Sequence, residues 1–254
     1  MISMDFSKKP SHIIVLFLML ITIFVMLIMP VLTFLGFFPT DVETDISSFP
    51  DSMRLIFDIF IVVLQLSITI FLMIIVPFLW YKYVNNLSLK QIYSKIGLTL
   101  NGLDRAILWG FLAVVFTFLL FFVIGLGLVS LGINTDELSN IPDIEQYISS
   151  SVALFILASV QPIAEEIFFR GFLLEKFEGF GGSNIAIVST AVLFGVAHMV
   201  YGEIYPAIFP IIIGLILGYI VVKTRNLYSS IIAHILFNVT SLFLYYFAVN
   251  LYPS

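Results

Sequence analysis

The chain has 254 residues, of which 61% are hydrophobic and only 11% charged. A soluble domain carries roughly 25% charged residues, so this deficit, with a mean hydropathy of +1.13, excludes an ordinary soluble globule and points to a membrane protein. Cysteine is absent, which excludes a disulfide framework and any thiolate nucleophile or ligand; the net charge of −5 matters less than where the charges lie.

In chain order, seven apolar segments reach or approach the roughly 20 residues that a helix needs to cross a bilayer. They lie near 13–38, 55–81, 106–131, 148–174, 184–201, 206–222 and 228–249. The first follows Lys8 and Lys9, but it is too long for a signal-peptide core and has no small-residue cleavage site, so it reads as an uncleaved span. Lys82, Lys90, Lys95 and Arg105 lie between spans two and three, Lys176 after span four, and Lys223 and Arg225 between spans six and seven. The alternate loops hold Asp41, Glu43, Asp45 and Asp51, then Asp136, Glu137, Asp143 and Glu145, then Glu203, with Arg54 their one basic residue. Cationic loops stay in the cytoplasm, so the amino terminus is expected inside and the carboxyl terminus outside, in a plasma membrane.

The longest polar stretch between spans, about 82–105, predicts a short amphipathic helix lying at the interface. No tandem repeat or linker divides the chain. The expected fold is an all-α polytopic transmembrane bundle of seven spans, or eight if a short or re-entrant segment is hidden. It forms one domain over 1–254, with the chemistry-bearing part over 148–249.

Polar residues inside three spans stand out, because ionised groups in hydrocarbon are costly and usually face an interior. QPIAEEIFFRG at 161–171 carries Glu165, Glu166 and Arg170. FGVAH sets Phe194 and His198 four apart, and HILFN does the same for His234 and Asn238. A spacing of four puts two side chains on one helical face. Glu166 stands four before Arg170, the favourable order for an ion pair. Glu165 is rotated by about 100° and is expected to lack that cation. A carboxylate so placed, without a cation of its own, suits a general base.

Each set alone has a structural reading. Glu166 with Arg170 could be only a buried ion pair, His198 or His234 an interhelical hydrogen-bond partner, and Phe194 one packed ring among 27 phenylalanines. Asp58, Gln65 and Glu175 read as helix-end or interhelical polar groups. The coincidence of three sets on separate spans favours function. H-E-x-x-H, G-x-S-x-G, the G-x-G-D of aspartyl intramembrane proteases, a P-loop and a dinucleotide fingerprint are all missing.

EEIFFR at 165–170 resembles the E-E-x-x-x-R motif of the CAAX protease and bacteriocin-processing (CPBP, or Abi) membrane proteases. FGVAH at 194–198 resembles that family's F-x-x-x-H motif and HILFN at 234–238 its H-x-x-x-N motif, in the family's order. The resemblance implies an intramembrane endopeptidase. In it Glu165 activates water, His198 helps to hold that water, Glu166 and Arg170 form a supporting pair, and His234 and Asn238 bind the oxyanion. It leaves metal open: Glu165, His198 and His234 could supply three zinc ligands with water as the fourth, and zinc is not expected to be obligatory. Expected partners are the bilayer and a peptide or lipidated protein substrate (CAAX-type, bacteriocin or pheromone precursor), with no nucleic acid. Competing readings are a bacteriocin-immunity or binding protein of the same fold and a small proton-coupled transporter.

Overall fold

A computed structural model describes residues 8–38, 49–133, 150–199 and 205–251. Among these every regular element is helical. The elements are α1 (Pro10–Phe34), α2 (Ser52–Val84), α3 (Leu89–Lys95), α4 (Leu103–Ser130) and α5 (Ser151–Glu166), then α6 (Leu174–Ala197), α7 (Tyr205–Thr224) and α8 (Tyr228–Leu251). A π-helical turn, Ile167–Leu173, joins α5 to α6. The fold is a polytopic helical bundle. Of the loop acids behind the expected orientation, Asp41, Glu43, Asp45, Asp136, Glu137, Asp143, Glu145 and Glu203 lie outside the described residues.

Six described helical paths are long and apolar enough to cross a membrane. One of them, Ser151–Ala197, runs for 47 residues and covers both the fourth and the fifth expected spans. At 1.5 Å per residue it would be about 70 Å long if straight, more than twice the hydrocarbon thickness. It is not straight. Gly182 adopts φ 78° and ψ 178° inside it, a conformation open essentially to glycine alone. The consequence shows in the side chains: the rings of Phe169 and Phe194 are 5.1 Å apart, whereas 25 residues of straight helix would separate them by about 37 Å. The helical path therefore doubles back at Gly182.

Two other π turns have a local cause. Phe24–Ile28 precedes Pro30 and Phe71–Ile75 precedes Pro77. A proline ring clashes with the carbonyl four residues before it. Met26 and Met73 supply those carbonyls here, and a widened turn moves them aside.

The short helix expected within 82–105 is present as α3, with a capping box formed by Ser88 and Gln91. It is tied to the bundle: Lys95 and Lys176 each reach Glu175 at 2.9 Å, and the Tyr81 hydroxyl donates to the same carboxylate at 2.9 Å. Glu175 is thus an interhelical polar group, and Asp58 is fully buried on α2. Asn226, in the turn between α7 and α8, donates to the carbonyls of Thr99 and Asn101. The largest apolar cluster surrounds the π turn, with Phe168, Phe169, Phe172 and Phe194 packed on Met73, Val76, Ile96, Leu227 and Ile231. That is the ground on which the polar residues stand.

Candidate active site

Glu165 and Glu166 end α5, and Arg170 lies in the π turn that follows. Arg170 Nη1 donates to Glu166 Oε1 at 2.8 Å, both side chains being fully buried. The guanidinium also lies 4.3 Å above the Phe194 ring and 5.8 Å from that of Phe169, where ring quadrupoles attract a cation. Its Nε and Nη2 have no hydrogen-bond partner among the described residues, so the aromatic faces supply much of its surroundings. Gly214 on α7 makes room for it: a Cβ there would stand 2.9 Å from the Ala191 Cα and 3.2 Å from Arg170 Nη2.

His234, on α8, comes to the same carboxylate. Its Nδ1 lies 2.9 Å from Glu166 Oε1. Glu166, already holding a guanidinium, acts as an acceptor, so Nδ1 is the protonated nitrogen. That fixes the ring and turns Nε2 towards Glu165, whose Oε2 is 3.8 Å away. His198 caps α6, and its Nδ1 lies 2.7 Å from the Phe194 carbonyl oxygen. A carbonyl can only accept, so Nδ1–H donates and Nε2 keeps its lone pair. Phe194 is 1% exposed and meets both imidazoles edge to face, His198 at 4.6 Å and His234 at 5.6 Å between ring centroids. It holds the guanidinium and both histidines at once.

Among the described residues the basic group within ion-pair distance of Glu165 is the His234 ring, and Gln161 Nε2 donates to its Oε1 at 2.7 Å. Gln161 in turn accepts from Gln65 Nε2, on α2, at 2.8 Å. The expectation for Gln65 as an interhelical group agrees with this. Gln161 was missed, although it lies four residues before Glu165, the same spacing that relates Glu166 to Arg170. Asn238 follows His234 by one turn on α8 and is half-buried.

The structure therefore brings residues from α2, α5, the π turn, α6 and α8 to one place. Two carboxylates and one guanidinium leave one formal negative charge among them, which a second proton on one imidazole would balance. Among the described residues no group of three His, Asp or Glu side chains, Glu165, His198 and His234 included, is placed together as a ligand set for one ion.

Residues 147–240 match the family model described as Type II CAAX prenyl endopeptidase Rce1-like. The match covers a little over a third of the chain and contains all three polar sets. No curated protein and no solved structure matches the chain.

Proposed function

We propose that this chain, whose residues 147–240 match the family model described as Type II CAAX prenyl endopeptidase Rce1-like, is an intramembrane endopeptidase that hydrolyses a peptide bond of a membrane-associated substrate with water activated by Glu165. The family description favours a prenylated CAAX-type chain as the substrate. One observation carries the reading. Glu165 Oε2 and His234 Nε2 face each other at 3.8 Å, while the Nδ1 atoms of both histidines are engaged elsewhere. The gap between Glu165 Oε2 and His234 Nε2 is one that a bridging water fits.

In this mechanism the water is held by Glu165 and the His198 Nε2 lone pair. Glu165 takes its proton as the oxygen attacks the scissile carbonyl, and returns that proton to the departing amine. The tetrahedral oxyanion needs donors. Asn238 offers its amide, and His234, held through Nδ1 by Glu166, presents Nε2 as the second donor when that nitrogen bears a proton. Donors so aimed contribute about 3–4 kcal/mol each where they have been removed. Glu166 and Arg170 act by holding His234 and the π turn. The amino terminus belongs in the cytoplasm, a reading supported by the gathering of Lys95 and Lys176 on Glu175 and of Arg225 on Glu178.

The test is cleavage of an internally quenched farnesylated CAAX peptide by the purified protein in detergent. Glu165→Gln is expected to abolish turnover and to leave the thermal midpoint near that of the parent. A fully active Glu165→Gln protein would end the assignment.

A further inference from the structure

A carboxylate that acts as a base must present one oxygen to the water and keep it there. Glu165 has two, on a side chain with three rotatable bonds, so something must fix the carboxyl. Gln161 Nε2 reaches Oε1 at 2.7 Å and Gln65 Nε2 reaches Gln161 Oε1 at 2.8 Å. The polarity of each link is chemically dictated. An ionised carboxylate only accepts, so Gln161 must turn its NH2 towards Glu165 and its oxygen away. Inside an apolar bundle that oxygen needs a donor, and Gln65 supplies one from the neighbouring helix. Were Gln161 to flip, two acceptors would meet at Glu165, and Gln65 would be left pointing a donor at a donor.

We propose that Gln161 is a positioning residue for Glu165, locked in its orientation by Gln65, and that together they assign Oε2 as the oxygen that takes the proton. Oε1 is committed to the amide. Oε2 is left facing His234 Nε2 at 3.8 Å, too far for a direct hydrogen bond. The other charged or titratable groups around Glu165 are Glu166 beside it on α5, Arg170 from the π turn, His198 from α6 and His234 from α8, and among the described residues none of them bonds to Oε1. A Gln–Glu pair one turn apart could be a simple helix contact; the bond from α2, 96 residues away in sequence, is what makes this a device spanning two helices.

The inference rests on the proteolytic reading, and the experiment separates the two. Parent, Glu165→Gln, Gln161→Leu, Gln161→Met, Gln65→Leu and the Gln65→Leu/Gln161→Leu double variant are assayed on the same quenched farnesylated peptide, with thermal midpoints measured in parallel. A misdirected base should lower kcat by about 10–100-fold with KM and thermal midpoint retained. Gln65→Leu should lower kcat less, because the Gln161 donor is still present but free to flip. The double variant should be no worse than Gln161→Leu, since both act through one contact. Should Gln161→Leu fail to fold, Gln161→Met, closer in length, and Gln65→Leu carry the same comparison. If Glu165→Gln is inert while Gln161→Leu keeps the kcat of the parent, the positioning role is wrong and the protease reading stands. A loss of kcat that tracks a falling thermal midpoint, or additive losses in the double variant, would also overturn it. An active Glu165→Gln protein would instead remove the reading beneath it.

Discussion

Arg170 and Glu166 show how far a spacing rule reaches and where it stops. Their separation by four, in the favourable order, was enough to predict the ion pair, and the 2.8 Å contact agrees. Nothing in the sequence pairs Glu166 with His234, 68 residues further on, because that contact depends on how α5 meets α8. The pair carries more than its own bond: Glu166 fixes the His234 ring, and Arg170 is what makes Glu166 tolerable at full burial. Arg170→Ala should therefore strand a buried carboxylate and cost about 3–5 kcal/mol, read as a lower thermal midpoint or poor recovery in detergent. A variant as stable as the parent would show that the ion pair does not hold this part of the bundle. In the sequence only its place four residues before His198, in the F-x-x-x-H resemblance, set Phe194 apart from the other phenylalanines. Its position between Arg170, His198 and His234 is a tertiary fact.

Among the elements, the π turn at Ile167–Leu173 lacks the proline that accounts for the turns before Pro30 and Pro77. It lies where Arg170 leaves the helix to reach Glu166 and Phe194, and π turns of this kind recur at functional sites. The spans themselves were legible as apolar runs long enough to cross. The junction of the fourth and fifth was only partly so. The sequence reading ends one span at 174 and begins the next at 184, whereas the helix continues to a single break at Gly182. A cluster of glycines marks a turn, but that Gly182 is the one with positive φ is seen only in the folded chain. Gly182→Ala should cost about 1–3 kcal/mol through backbone strain alone. The check is thermal stability alongside peptide cleavage, since loosening the hairpin also moves Phe194 and His198 relative to Arg170. An unchanged midpoint would mean that Gly182 does not impose the turn.

For the whole molecule, the apolar surface and the site are two sides of one arrangement. Large apolar residues on α4 such as Phe111, Phe116, Leu119 and Phe122 stay exposed, as lipid contact demands, while the costly polar groups are turned inward. Cleavage is expected to survive EDTA and phenanthroline, because the described donors do not converge on an ion. Loss of activity with either chelator, restored by zinc, would overturn that. By itself the sequence determined the membrane character, the helical class and the three polar sets, because hydrocarbon solubility and the 3.6-residue period are local properties of the chain. It could not determine that Gln65 and Gln161 line up on Glu165, that His234 bonds to Glu166, or that one ring touches both imidazoles and a guanidinium. Apart from the one-turn contacts of Gln161 with Glu165 and of Phe194 with His198, these join residues 24 to 96 positions apart, and only the packing of helices against one another decides which faces meet.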